Sequence, residues 1–265
     1  MATRPHFLVA AGSSWEAIDQ VRQWGNIFTG QTGLDAALAL LDVGDVTLLT
    51  SNLRHAEQYD GFSGKLGMLG VETYRSHAEL RDLLHERVTS GPVDAVLMSA
   101  AVSDYKPAGV YRVVRRQPAP ESPDAQTGGD RPRPGQELWL VESVQAAKVK
   151  STHGTIAVLG ETTEKLVDLF RRAWDYRGIL VKFKLEAGLS EAELTRVAEA
   201  SRQASGADLI VANTLEMVHG PSAGAYLMGP GLCRRVARAE LAAALCELVA
   251  AGLARRGVLR APPER

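Results

Sequence analysis

Residues 12–33 hold two glycine-bearing loops, Gly12-Ser13-Ser14 and Asn26-Ile27-Phe28-Thr29-Gly30-Gln31-Thr32-Gly33, on either side of a polar stretch. The second loop opens a helix. Backbone N–H groups at a helix N-terminus, with no side chain at the glycines, make a concave donor surface suited to phosphate. The segment contains neither G-x-G-x-x-G nor G-x-x-x-x-G-K-[ST], so it supports neither a standard dinucleotide site nor a P-loop. An ordinary long β–α connection, its glycines serving turns, fits the same residues.

Ala100-Ala101-Val102-Ser103-Asp104-Tyr105-Lys106-Pro107 follows a strand. Two small residues there let a ligand approach the backbone at the C-terminal edge of a sheet, where crevices form in open α/β folds. Asp104 can accept hydrogen bonds from a ligand or help hold a cation, or it can start an Asx-turn before the proline. Basic candidates are Lys148 with Lys150, and Lys182 with Lys184, each pair alternating on an extended segment and so projecting to one face. A solvated strand face accounts for such a pair equally well. Asn213 closes Asp208-Leu209-Ile210-Val211-Ala212-Asn213 and places an amide at a strand's C-terminal end, as a ligand contact or as a turn former.

The elements that must position these groups alternate between short apolar runs and amphipathic helices, the pattern of a mostly parallel sheet covered on both faces. Strands are expected at residues 7–11, 46–50, 71–74 and 93–99, with helices at 30–41 and 77–88. The rhythm breaks after Pro107, where residues 111–115 and 138–141 alternate apolar and polar and read as an antiparallel pair. Between them, residues 117–136 are rich in Pro, Asp and Gly and read as a mobile loop. The α/β rhythm is expected to resume with a strand at 155–159, a helix at 164–174, strands at 179–183 and 208–212, and a helix at 191–204. A closing β-turn-β at 225–236 and a final helix at 239–254 complete the reading. The fold class expected is α/β, a modified Rossmann-like three-layer sandwich with an added antiparallel segment. It forms one domain over residues 1–254, followed by a flexible Arg/Pro-rich tail at 255–265.

Thirty basic and thirty-one acidic residues leave a net charge of -1 in 265 residues. That balance speaks against an electrostatic nucleic-acid binder. Two cysteines, Cys233 and Cys246, are too few for a disulfide framework, and neither has the setting of a nucleophile or metal ligand. No apolar run reaches the length of a membrane span, and the N-terminal residues lack a signal-peptide h-region. A cytoplasmic protein is expected, without membrane or nucleic-acid partners.

In order along the chain, Gly-Ser-Ser-x-Glu-x-Ile-Asp-x-Val-Arg from Gly12, Asn26 with Thr29-Gly30-x-x-Gly33, Ala-Ala-Val-Ser-Asp-Tyr-Lys-Pro from Ala100, Lys148-Val-Lys150, Phe183-Lys-Leu-Glu, and Asp-Leu-Ile-Val-Ala-Asn213 resemble the phosphopantothenoylcysteine synthetase family. The resemblance implies a phosphopantothenate–cysteine ligase of coenzyme A synthesis. Such enzymes use ATP or CTP with Mg²⁺ to convert the 4′-phosphopantothenate carboxylate into an acyl-nucleotidylate, which the cysteine amine then attacks. It further implies a homodimer. Asn26 would hold the acyl group, Phe28, Thr29, Gly30 and Gly33 would lie at the substrate phosphate, and Ala100, Ala101 and Asp104 would contact the pantothenate portion. Gly12, Ser13 and Ser14 would meet the nucleotide, with Lys148 and Lys150 on a flap above it. Phe183 and Asn213 would line the pocket and Lys184 would face phosphates. Asn26, Lys148 and Asp104 are the catalytic candidates, and no protein side chain is assigned to a metal.

Such chemistry needs charge neutralisation and positioning more than a protein nucleophile, and no Ser-His-Asp or Cys-His set is evident. The chain departs from the family at Phe28, where a serine is usual, at Ser151, where a lysine often follows the flap pair, and at Ala17, where proline is usual. Stand-alone length and Phe-Lys-Leu-Glu resemble the eukaryotic style, which uses ATP rather than CTP. Two rival readings remain: a diverged nucleotide-binding paralogue, favoured by Phe28, and an NAD(P)-dependent oxidoreductase, disfavoured by the missing dinucleotide motif.

Overall fold

The computed structural model describes residues 4–118, 137–220 and 222–259. Along the chain the elements are β1 (His6–Ala11), β2 (Trp15–Ala17), β3 (Gln23–Gly25), α1 (Gln31–Leu40), β4 (Asp45–Thr50), α2 (Leu53–Tyr59), β5 (Leu69–Thr73), α3 (His77–Ser90) and β6 (Ala95–Met98). They continue with β7 (Tyr105–Pro118), β8 (Glu137–Ser143), β9 (Ile156–Thr162), α4 (Leu166–Arg172), β10 (Ile179–Glu186), α5 (Glu191–Ser205), β11 (Leu209–Thr214), β12 (Gly224–Gly229), β13 (Leu232–Ala237) and α6 (Leu241–Arg255). These elements separate into two compact units. The first takes in the chain up to Trp15, Gly25–Ser103 and the chain from Glu164 on; the second takes in Glu16–Trp24 and Asp104–Thr163.

The first unit is built on an eight-stranded sheet in the order β13-β12-β11-β10-β6-β1-β4-β5. Its strands from β11 to β5 are parallel, and β12 and β13 add an antiparallel ribbon at one edge. Counting only the parallel strands in chain order, the sheet reads 3-2-1-4-5-6 from β5, the doubly wound order whose direction reverses between β1 and β6. Strand β1 shows why the sheet is covered twice. Phe7, Val9 and Ala11 face one core cluster with α1 and α6, while Leu8 and Ala10 face another with α3 and α4. The two-residue period of an extended chain sends alternate side chains to opposite faces, so a continuous apolar run is buried on both. Phe7 is fully buried, a burial that contributes about 1.5–3 kcal/mol. Helix α5 covers β11 and β12 through Leu194 and Ala198, packed on Ile210, Ala212 and Met228.

Local signals set the helix ends. Ser76 Oγ accepts from Glu79 N at 3.2 Å, and the Glu79 carboxylate accepts from Arg75 N at 2.7 Å. Ser190 and Glu193 form a full capping box ahead of α5. At the opposite end of the sheet Asp208 accepts from Leu180 N at 2.8 Å, Arg171 at 2.8 Å and Arg256 at 2.6 Å.

The second unit is a three-stranded antiparallel sheet, β8-β7-β9, with the short β2–β3 ribbon where the chain first enters it. The expected antiparallel pair is present as β7 and β8. The expectation for residues 155–159 needs correction. These residues open β9, which pairs with β7 antiparallel instead of resuming the parallel sheet. None of its residues is fully buried, so the apolar composition of Ile156, Val158 and Leu159 reflects a one-sided sheet. Elements α2, β2 and β3 were not anticipated; each is short, and α2 buries only His55. Of residues 117–136, Gln117 and Pro118 pair with Leu138 and Glu137, and 119–136 lie outside the described residues. Of residues 255–265, Arg255 ends α6 and Arg256 bonds Asp208 and Arg177 O, while 260–265 lie outside the described residues.

Candidate functional site

The C-terminal ends of β1, β6, β10 and β11 open into a cleft of about 770 Å³, at the switch point of the strand order. Gly12, Ser99–Ala101, Phe183–Leu185 and Asn213 bring the strand ends to it, and residues 27–33 supply the entry to α1. Volume and lining suit a small organic ligand with a few convergent polar groups.

Helix α1 presents its N-terminus here without a side-chain cap and without an acidic residue in its first turn. Its N-cap, Gly30, is left-handed at φ 83° and ψ 11°. A Cβ at Gly30 would stand 2.3 Å from Gly12 N, and one at Gly33 would stand 2.3 Å from Ser99 Oγ and 2.6 Å from the Ala11 Cβ. Both glycines therefore let α1 seat directly on the end of β1. The N–H groups of Gln31, Thr32 and Gly33 precede the first intrahelical bond, Leu34 N to Gly30 O at 3.1 Å. All three residues line the cleft, and together with the helix dipole they favour an anion there.

The approach to this helix is tied at two points. Asn26 Nδ2 donates to Ala101 O at 3.0 Å, and Asn52 Nδ2 donates to Thr29 O at 3.2 Å. Between the ties, Ile27 and Phe28 face the cleft, Ile27 with 88% of its surface exposed.

The structure brings Gly12, Phe28, Thr29, Gly30, Gly33, Ala100, Ala101, Phe183, Lys184 and Asn213 to one cleft. Asn26 sits just before its rim, half-buried, with its amide nitrogen on Ala101 O. Ser13 and Ser14 are buried instead. Ser13 N donates to Ser51 Oγ at 2.8 Å, and Ser14 Oγ accepts from Ser103 N at 2.8 Å, so both serve the packing of the β1 and β6 ends. Asp104, Lys148 and Lys150 belong to the second unit and are exposed. There Val149 is buried between the two lysines, its N–H on Asp19 Oδ2 at 3.1 Å and its carbonyl held by Arg22.

Charge in the cleft is unevenly committed. Lys184 pairs with Glu186 at 2.7 Å. Its neighbour two along, Lys182, donates to Ser201 O at 3.3 Å, and burial pushes its pKa below the ordinary lysine value. Arg238 lines the cleft with no ion pair and no side-chain hydrogen bond among the described residues. It was missed in the sequence because it lies beyond the last recognisable motif. The antiparallel ribbon accounts for its placement: Ala237 pairs with Gly224, which returns the end of β13 to the edge where β11 finishes. His219 and Ala223 reach the cleft by the same route. Among the described residues no group of three or more His, Cys, Asp or Glu side chains is arranged to hold a metal ion, and no helix is long and apolar enough to cross a membrane.

Known proteins resemble this chain in sequence and in fold. A family model described as the DNA/pantothenate metabolism flavoprotein C-terminal domain matches residues 2–117. The coenzyme A biosynthesis bifunctional protein CoaBC of Thermococcus kodakarensis is 27% identical over 233 residues, covering 87% of this chain and 46% of that protein. CoaBC of Mycolicibacterium smegmatis is 35% identical over 106 residues, 39% of this chain and 23% of its own length. The chain thus spans less than half the length of these relatives. Among solved structures, the DNA/pantothenate metabolism flavoprotein of Streptococcus pneumoniae superposes with a TM-score of 0.69 at 25% identity, over 94% of this chain and 99% of that one. A Cab2 variant in complex with phosphopantothenate-cysteine shares the fold at TM-score 0.64 and 14% identity, over 95% of this chain and 87% of its own. By sequence the chain is homologous to the CoaBC proteins, its residues 2–117 match the DNA/pantothenate metabolism flavoprotein C-terminal domain, and its fold is that of the solved structures of this kind.

Proposed function

We propose that this chain is a phosphopantothenate–cysteine ligase, acting in the cytoplasm as a homodimer. The observation that carries the reading is the switch-point cleft, with the uncapped N-terminus of α1 and the uncommitted Arg238 on its walls. An acid bearing a phosphate at one end and a carboxylate at the other is the kind of ligand that such a surface holds. The relatives named for coenzyme A biosynthesis supply the chemical context.

In this reading the N–H groups of residues 31–33 and Arg238 take the phosphate of 4′-phosphopantothenate. Asn26 positions the acyl group, and Ala100 and Ala101 let the pantothenate chain approach the backbone. ATP or CTP is the co-substrate. The acid's carboxylate oxygen attacks the α-phosphorus, a P–O bond forms, and pyrophosphate leaves. The cysteine nitrogen then attacks the acyl carbon, loses a proton, and expels the nucleoside monophosphate. Lys148, Lys150 and Lys184 offset phosphate charge, and Mg²⁺ entering with the triphosphate neutralises more of it when bound. The work of the protein is orientation and charge stabilisation.

Phe28 favours a second reading, a nucleotide-binding paralogue without ligase activity, because a phenyl ring in the cleft cannot donate to phosphate. Mixing the protein with ATP or CTP, 4′-phosphopantothenate and cysteine separates the two. The ligase releases pyrophosphate only when the acid is present and forms phosphopantothenoylcysteine in equal amount once cysteine is added. A nucleotide that raises the melting temperature with no pyrophosphate released would instead establish the paralogue.

A further inference from the structure

His55 is buried on α2, and it reaches the cleft only through a relay. Its Nδ1 lies 3.0 Å from Thr50 Oγ1 and its Nε2 lies 3.1 Å from Asn52 Nδ2. Asn52 is fully committed: Oδ1 accepts from Arg54 N at 3.2 Å, while Nδ2 donates both to His55 and to Thr29 O at 3.2 Å. With Oδ1 accepting from a backbone N–H, the other end of that amide is NH₂. Nε2 of His55 must then be an acceptor, and the ring proton sits on Nδ1, facing Thr50 Oγ1. Adding a proton at Nε2 would set two donors against each other at 3.1 Å. Turning the Asn52 amide to relieve that clash removes the donor from Thr29 O.

We propose that His55, as the neutral Nδ1–H tautomer, is a positioning residue for the anion-binding turn. It fixes the orientation of Asn52, and Asn52 holds the Thr29 carbonyl against which Gly30 starts α1. The proposal rests on the cleft being the acid-substrate site for its effect on binding, though not for its effect on the turn. Burial lowers the pKa of His55 from the ordinary 6.5, with Asp35 on α1 opposing. Strand β4 offers the ring only the Thr50 hydroxyl, and Glu72 on β5 is paired with Arg87 at 2.7 Å. Arg54 and Glu57 on α2 itself are exposed. The turn is therefore held at neutral pH and released as the pH falls below the ordinary histidine range.

The test compares wild type, His55→Gln and His55→Phe as full-length protein between pH 5 and 8. Ring-nitrogen NMR should show Nε2 unprotonated at pH 8, and the Gly30 amide resonance should move with the ring's own titration. The affinity for 4′-phosphopantothenate, by calorimetry, should weaken on acidification by roughly two- to tenfold beyond the change seen in His55→Gln, the scale of one lost hydrogen bond. The Gln variant keeps an acceptor for Asn52 and cannot titrate, so it also corrects for protonation of the ligand. His55→Phe should bind weakly at every pH; if it does not fold, the Gln variant's pH profile decides. A proton on Nε2 at pH 8, a Gly30 amide indifferent to the ring, or equal acid dependence in His55→Gln would overturn the proposal. Absence of any phosphopantothenate binding by wild type would instead sink the ligase reading, with the Gly30 resonance still judging His55.

Discussion

Asp19 and Val149 are 130 positions apart in the chain, and the Val149 N–H donates to Asp19 Oδ2 at 3.1 Å. The same carboxylate accepts from Val21 N at 2.9 Å, Arg22 N at 2.8 Å and the Arg22 guanidinium at 2.7 Å. Arg22 also holds the Val149 carbonyl, and Gln20 N donates to Ala147 O at 2.9 Å. The turn at 18–22 therefore clamps the backbone between Lys148 and Lys150. This gives the Ile18-Asp19-x-Val21-Arg22 motif a purpose within the second unit that its sequence does not state.

Asp19→Asn should loosen that backbone, read as faster hydrogen exchange at residues 147–150 with little change in the parallel sheet. Burial alone would raise the Asp19 pKa, yet the N–H groups of Val21, Val149 and Arg22, with the Arg22 side chain, overcome it and hold the group at about 2. A depressed carboxylate contributes stability that is fully present above its unfolded value, 3.8 here, and is lost as pH falls through the folded one. Wild type should show this acid loss between pH 4 and 2 and Asp19→Asn should lack it; superimposable acid titrations would contradict the clamp.

Gly33→Ala sets two effects against each other. Alanine gains at most about 1 kcal/mol of helix propensity. The added methyl meets Ser99 Oγ at 2.3 Å and the Ala11 Cβ at 2.6 Å, and overpacking of that kind costs about 1–3 kcal/mol. Overpacking should win, lowering the urea midpoint by the equivalent of about 1–2 kcal/mol with the slope unchanged. A midpoint at or above wild type would show that α1 can lift from β1 without cost.

Arg238→Gln removes a cation that has no partner among the described residues, so thermal stability should hardly change. Affinity for 4′-phosphopantothenate should fall roughly ten- to hundredfold, the range for a lost charged hydrogen bond. Binding of pantothenate, which lacks the phosphate, should be unaffected. Equal losses for both ligands would place Arg238 elsewhere along the substrate.

Phe28→Ser restores a hydroxyl at the mouth of α1 and removes a ring from the cleft. Affinity for phosphopantothenate should rise several-fold, as expected for one neutral hydrogen bond, provided that the phosphate lies at this turn. Tighter binding of pantothenate by the same factor would show instead that the ring merely obstructs.

The parallel sheet was legible because its central strands, β1 and β6 above all, are buried on both sides. A run such as Phe7-Leu8-Val9-Ala10-Ala11 has few other places to go, and the small residues after β1 and β6 marked the edge where the cleft opens. What escaped was governed by partners distant in sequence. Val158 and Leu159 look like any buried strand until β7 is known to offer them an edge. Ser13 and Ser14 look like phosphate contacts, but Ser51 and Ser103 take them into the packing. Arg238 carries no local motif, since only the fold-back of β12 and β13 delivers it to the cleft.

At the N-terminus of α1 the groups left without a partner in the helix beside the cleft are amide protons, which every residue except proline carries. Replacing the side chains of Gln31 or Thr32 leaves those protons in place, so an alanine scan would not read what they contribute to binding an anion. The informative change is to the chain itself: an amide-to-ester substitution at Thr32, made by semisynthesis, deletes one donor and leaves the side chain untouched. Selection acting through side chains is equally blind to these donors, which leaves it most freedom to vary residues 31 and 32 and least at Gly30 and Gly33, where the backbone itself must fit.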